Sequence, residues 1–374
     1  MFSSLINRLR DEVNALKSVL STNERLRNLL FPITPTTAPT STTTTITTTP
    51  PIFAVPGDTV DPGLTRLDWQ IFDHCASFTR LYAIYEQFVT MLITDYLREL
   101  PELYANYSEL PEQCRTQHRV AVGQILQKWS EDGHYSTLTE SAIVQGLNDG
   151  LAGEHYTLLP EAFLIDPQNY RAEILRKIFS YLGIVDCLAF VRKFRPMAEF
   201  MTTRRDSTEK IETVLHDFVE HRNVTSHESV TETVSMGEIF SFADFLVILC
   251  ESLAQILHRR VLRRQLDLGK LIPVGEVLHR FSNNICGVRS VGGPVTIGDD
   301  IVAASSESPF PLVLRSIHSG AAPLEFINLH PNQEIGFGFD RPLNVGLRLY
   351  RFPERISGQP VNLPQVEERS DFQI

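Results

Sequence analysis

The amino-acid sequence predicts a multidomain α + β protein: an N-terminal coiled helix, an all-α helical bundle and a small C-terminal all-β barrel. Three observations carry that class. Residues Phe2, Ile6, Leu9, Val13, Leu16 and Leu20 recur in alternating steps of four and three, the narrow seam of a coiled helix. The same alternation runs through Ile71, Cys75, Phe78, Tyr82, Tyr85, Val89, Leu92 and Tyr96, one face of a long core helix. Past Gly269 short runs of Val, Ile and Phe are punctuated by Gly292-Gly293, Gly298, Pro309, Pro311, Gly320 and Pro331, the composition of a small barrel or sandwich.

Taken in order, residues 1–30 form the coiled helix. Three heptads do not hold a helix alone, so the seam needs a partner, either a second copy of the chain or the helical body behind it. Residues 31–64, dominated by Thr and Pro between Thr34 and Pro51, supply few core side chains and read as an extended linker. Residues 65–268 make the helical domain. After the long helix from Leu67, further helices are expected at Glu112 to Trp129, Glu140 to Leu151, Asn169 to Leu182, Val185 to Phe194, Ser207 to Arg222 and Gly237 to Leu266. Residues 270–353 form the barrel, and the polar stretch 354–374 a loose tail.

Composition narrows the function classes. With 43% hydrophobic and 21% charged residues, the chain is neither collagen-like nor disordered throughout. Its most apolar stretch, Ile239 to Leu257, is interrupted by Ser241, Asp244, Glu251 and Ser252, so a buried core helix is expected rather than a membrane span. The first residues mix both charge signs without an apolar export core, so a cytoplasmic location is expected. Five widely spaced cysteines, Cys75, Cys114, Cys187, Cys250 and Cys286, form no Cys-x-x-Cys pair and read as reduced core thiols. The Asn-x-Ser/Thr matches at Asn106 and Asn223 are accordingly chance. A net charge of −11 argues against nucleic-acid binding by the whole surface and leaves room for a local basic groove.

The chemistry concentrates in the stretch beginning at Asp206. Asp206 and Glu209 make a capping box, and Ile211, Val214, Leu215, Phe218 and Val219 build an apolar face behind it. Arg222 lies four residues after Phe218, on that inward face, where a cation needs a reason. His227 follows five positions later, about 140° around a continuous helix. For the two to meet, the chain is expected to break at Asn223, Val224 and Thr225. An Arg and His pair suits cleavage of a phosphodiester by its own 2′-hydroxyl: the guanidinium holds the phosphate and the imidazole moves the proton. Neither a metal nor a cofactor is called for. The spacing alone arises about once in a shuffled chain of this composition, so the amphipathic helix before it and the apolar helix after it carry the weight. Arg222 also suits a helix C-terminus, where a cation is favoured, and His221 is expected at the surface.

The segment RNVTSH, from Arg222 to His227, resembles the ribonuclease motif of the HEPN superfamily, and the resemblance covers residues 65–268. LYAIYEQFV, from Leu81 to Val89, resembles the opening helix of such domains, with Glu86 at the position of a supporting acid. The resemblance implies a metal-independent endoribonuclease with Arg222 and His227 as its catalytic pair. Asn223 would orient the phosphate or the ring, and the product would be a 2′,3′-cyclic phosphate. It further implies a homodimer and a role as a toxin or anti-phage defence effector. Its alternative is a catalytically silent HEPN module serving as adaptor or regulator. Two basic clusters, His258 to Arg264 and Arg192 to Arg205, are candidate walls of an RNA groove or solvated helix ends.

The C-terminal region is similar to domain 2 of translation elongation factors. The matching stretches are Val274 to Val277, Val295 to Val302, Leu314 to Gly320, the segment ending at Asp340, and Leu347 to Phe352. That resemblance implies contact with tRNA or ribosome-associated RNA, or with a regulatory protein. No Gly-rich phosphate loop ending in Lys-Ser/Thr occurs, so nucleotide hydrolysis is not implied.

Overall fold

The computed structural model describes residues 1–31, 63–129, 135, 137–164, 170–204, 209–227, 233–282, 284–305, 309–320 and 322–353, with only the backbone of Arg204, Ser226 and His227. The bulk of the Thr/Pro linker, the tail and the Asp206 half of the expected capping box lie outside them. The described residues hold nine α-helices followed by a closed six-stranded barrel, and the α + β class is borne out. The chain divides into two compact units, Met1–His258 and Arg259–Ile374.

Helix α1 (Ser3–Leu30) settles the question left by its seam. Leu5, Leu9, Val13 and Leu20 are buried within the chain's own helical unit. Arg80 donates to Glu12 at 2.9 Å, Arg10 pairs with Glu251 at 2.7 Å and Lys17 with Asp244 at 2.5 Å. Arg27 donates to Asp73 at 2.7 Å, both side chains being about 95% or more buried, and Asn23 donates to the other carboxylate oxygen at 2.9 Å. The body behind the seam is its partner, because that face finds complementary charge along its length.

Helix α2 (Arg66–Leu103) starts where Thr65 and Asp68 form a capping box, each side chain accepting from the other's backbone N–H. It then buries a continuous row from Phe78 to Leu103. Helices α3 (Glu112–Lys128), α4 (Glu140–Ala152), α5 (Ala172–Tyr181) and α6 (Cys187–Lys193) fall close to their expected places. Helix α7 (Arg195–Arg204) lies between two expected helices and was not among them. Pro196 sits there in the first turn, where its missing N–H has no intrahelical acceptor to lose, and Met197 is fully buried. Helix α8 (Ile211–His227) begins four residues later and ends five later than expected. Helix α9 (Met236–Asp267) is long and apolar enough by composition to cross a membrane. In this fold it is a core helix, with Phe245, Leu249, Cys250 and Leu253 fully buried.

The second unit closes a barrel in the order β4 (Asp300–Ala304), β9 (Arg348–Arg351), β1 (Ile272–Arg280), β2 (Ile285–Ser290), β8 (Glu334–Phe339) and β5 (Pro309–Ser319), with β5 returning to β4. All these pairings are antiparallel. The short strand β6 (Ala322–Leu324) extends β5, while β3 (Gly293–Thr296) and β7 (Phe326–Leu329) pair separately. Val277, Val288, Leu314, Ile317 and Leu349 are fully buried in its interior. At Gly275 an added Cβ would lie 2.4 Å from the Arg289 carbonyl oxygen, so the sharply curved sheet demands glycine there.

Candidate functional site

The site is built where α8 crosses α2. Ile211, Val214, Leu215, Phe218 and Val219 are all buried, as the apolar face requires. At its centre the Phe218 ring lies 6.0 Å from Phe78, 6.3 Å from both Tyr82 and Tyr85, and 6.0 Å from Phe242 of α9. These rings lock the rotation of α8 against α2, so the next residues along α8 are placed by packing.

One turn beyond Phe218, the Arg222 guanidinium lies over the Tyr82 ring, 4.6 Å from its centroid. Its Nη1 donates to Asn223 Oδ1 at 3.2 Å. This accounts for a cation on the inward face: the aromatic surface replaces part of the lost hydration. Glu86 follows Tyr82 by one turn on α2, close enough for its charge to act on Arg222. Burial raises the Glu86 carboxyl above its usual range, and Arg222 opposes that shift. Burial, reinforced by Glu86, pushes the Tyr82 phenol up to about 12. Tyr82 Oη accepts the Tyr170 N–H at 3.1 Å, and Tyr85 donates to the Tyr170 carbonyl at 2.8 Å. Arg222, Asn223 and Glu86 thus come together, with Tyr82 as a fourth member that sequence reasoning missed. Its signal was the i, i+4 spacing of Tyr82 and Glu86 within LYAIYEQFV.

The expected break after Arg222 is absent. Helix α8 runs through Asn223, Val224 and Thr225 to His227, and Thr225 Oγ1 donates to the Arg222 carbonyl at 2.7 Å. The β-branched residues lower helix propensity by only a few tenths of a kcal/mol each, too little to end a helix anchored by the ring cluster. On this unbroken backbone His227 sits about 140° around the axis from Arg222, so one helix does not bring the pair to one face.

His221 is corrected as well. It is half-buried, stacked on Phe78 at 4.7 Å and edge-on to His74 at 5.6 Å. Burial first, then the neighbouring His221, holds His74 down to about 4. His74 Nδ1 accepts the Val234 N–H at 3.4 Å, which fixes the start of the segment leading into α9. An open cleft of about 330 Å³ adjoins His221, lined also by Asp217, Glu220, Val224, Val234 and Phe242.

Several members of the basic clusters are engaged within the chain. Arg192 pairs with Glu212 at 3.0 Å, Arg195 with Glu199 at 2.7 Å and Arg263 with Asp267 at 3.3 Å. Burial holds His258 down to about 4, so it is neutral near pH 7. These contacts fit solvated or paired helix ends better than a groove wall. Among the described residues no three His, Cys, Asp or Glu side chains converge as a metal site.

Comparison with known proteins adds a family. The model of the MAE_28990-like HEPN family matches residues 2–266, a span that takes in α1 as well as the bundle. No curated protein matches the chain. Two solved structures do: the C-terminal domain of a Geobacillus thermoleovorans protein described as a U32 peptidase, and its selenomethionine variant. Each is 23% identical, with a TM-score of 0.19, and the match covers 21% of this chain and 91% or 98% of theirs. A likeness of that extent carries no argument about function.

Proposed function

Because the chain belongs to the MAE_28990-like HEPN family, we propose that it is a metal-independent endoribonuclease acting as a toxin or anti-phage defence effector. The observation that carries this reading is the guanidinium of Arg222, held half-buried on Tyr82 beside Glu86. A cation so placed would attract a phosphate and stabilise the charge that builds as the 2′-hydroxyl attacks phosphorus. His227 takes the 2′-hydroxyl proton, the P–O5′ bond breaks as the imidazolium returns that proton to the leaving 5′ oxygen, and the products are a 2′,3′-cyclic phosphate and a 5′-hydroxyl. Asn223 orients the guanidinium through its 3.2 Å hydrogen bond, and Glu86 holds it electrostatically.

Since α8 spreads Arg222 and His227 around its axis, the reading assigns each site an Arg222 from one copy and the partner's His227. The protein is therefore proposed to work as a homodimer in the cytoplasm. The barrel is proposed to dock translation-associated RNA or a regulatory protein. A second reading, a catalytically silent HEPN module, draws on the same unbroken helix and on the engagement of Arg222 within its own chain.

A time course with total RNA and with isolated tRNA in EDTA separates the two. Wild type is expected to give defined fragments with cyclic phosphate ends. Arg222→Ala and His227→Ala are each expected to fold and to lose about 100-fold or more in rate. Mixing the two variants should restore part of the activity, through dimers holding one intact composite site. Intact RNA with wild-type protein supports the silent module.

A further inference from the structure

A second cleft, of about 280 Å³, opens elsewhere on the helical unit, lined by Asn106, Tyr107, Ser108, Arg115, Arg119 and Gly150 among others. Among the described residues its lining contains two arginines and no carboxylate, in a chain whose net charge is −11. Arg115 and Arg119 stand one turn apart on α3, so their side chains leave the same helical face. Both are near enough to the Tyr107 phenol for their charges to favour its ionised form, against the burial that pushes it up to about 12. Among the described residues neither arginine pairs with a carboxylate. Arg115 Nε donates to the Leu110 carbonyl at 3.2 Å, which orients its guanidinium and leaves both terminal nitrogens for a ligand. Glu109, just before α3, accepts from Asn106 Nδ2 at 2.7 Å.

The walls are rigid. The Leu159 N–H donates to His118 Nε2 at 3.3 Å, so Nδ1 carries the proton and donates to Tyr107 Oη at 3.1 Å. A Cβ added to Gly150 would lie 2.8 Å from Tyr107 Cγ, so α4 rests directly on that ring. A rigid concave surface with two fixed cations and the small polar side chains of Asn106 and Ser108 matches a phosphate: two guanidinia neutralise it and short donors satisfy its remaining oxygens.

We propose that the Arg115–Arg119 cleft is a phosphate subsite that holds the backbone of a bound RNA strand away from the Arg222 site. It rests on the ribonuclease reading only for the identity of the strand. The subsite supplies affinity and register without base readout, so it acts on binding and not on the chemical step. An acidic protein that processes RNA needs such local cationic contacts, because its net charge of −11 opposes the strand at long range.

The test uses the full chain carrying Arg222→Ala, so that bound RNA is not cut, and reads anisotropy of a labelled single-stranded RNA over a salt series. Adding Arg115→Gln and Arg119→Gln is expected to weaken binding about tenfold and to flatten the log–log salt slope by about 1.4, two contacts at about 0.7 each. Arg119→Glu alone, at an exposed position that leaves the Leu110 contact intact, is expected to weaken it at least as much. A control lacking two paired cations, Arg195→Gln with Arg263→Gln, is expected to bind nearly as the parent does. Equal binding by parent and cleft variants overturns the proposal, as does an equal loss in the control. Competition by millimolar inorganic phosphate as strong as that by unlabelled RNA reassigns the cleft to a free small anion and also overturns it. The two readings fail separately. A cleaving enzyme whose RNA binding ignores the cleft variants refutes the subsite alone, and a protein that binds through the cleft without cleaving refutes the nuclease alone.

Discussion

The helical unit and the barrel bury very different groups. Among the described residues the helical unit buries Arg27, Asp73, His74, Ser77, His118 and Ser252, whereas the barrel buries one polar residue, Ser290. Each interior ionisable group carries a desolvation cost that a hydrophobic core of the same volume avoids. A unit that retains several of them holds an arrangement beyond packing, and Arg27, Asp73, His74 and Ser77 lie on or against α2, along which the proposed Arg222 site is built. The barrel is assembled from Val, Ile, Leu and Phe with glycines at the bends, which specifies a shape and leaves its outer surface to carry any recognition.

The largest expected effect separating the two units comes from Arg27. Arg27→Ala strands the Asp73 carboxylate and should destabilise the helical unit by about 3–5 kcal/mol, while the paired Arg27→Met, Asp73→Leu variant recovers most of that loss. Urea denaturation followed by tryptophan fluorescence reads it cleanly, because the chain's two tryptophans, Trp69 and Trp129, both lie in this unit. A loss below about 1 kcal/mol would show that the pair is not buried as described.

Acidification comes next. His74, His118 and His258 have native values near 4 against 6.5 when unfolded, all from burial first. The unfolded chain therefore binds more protons between those values. The stabilisation of the neutral rings is complete above about pH 6.5 and is lost as pH falls from there through 4. The tryptophan-reported midpoint in urea should drop over that window, and His118→Gln should shallow the drop. A flat midpoint from pH 7 to 4 would contradict the burial of these rings.

The smallest effect belongs to the barrel. Gly275→Ala forces a methyl against the Arg289 carbonyl and should cost about 1–3 kcal/mol. Hydrogen exchange should show faster opening in β1 and β2 with α2 and α8 unchanged. Matching acceleration in the helices would show that the units do not respond separately.

Much of this was legible in the chain. The four-three rows of α1 and α2 announced their buried faces, because helical periodicity converts spacing directly into direction. Val, Ile and Phe runs broken by Gly and Pro announced a barrel, because closure needs curvature that few residues allow. The candidate site was half legible. Arg222 on an apolar face was an anomaly visible from spacing alone, and Glu86 followed from the family resemblance. Tyr82 showed only its spacing to Glu86, and the packing of His221 did not show at all, since an aromatic or a histidine on a helical row carries no mark of which neighbour it will meet. Helix α7 was hidden by a proline that stops helices everywhere except their first turn.

The sequence by itself determined the order of helices and strands, the apolar face of each and the odd cation at 222, because these depend on residues within one or two turns of each other. Only the tertiary structure decided that the α1 seam closes on its own body, that α8 continues past Asn223, and that Arg222 lies on Tyr82. Those outcomes depend on which surfaces meet across more than a hundred residues of chain. A ring cluster around Phe218 outweighs local preferences of a few tenths of a kcal/mol per residue.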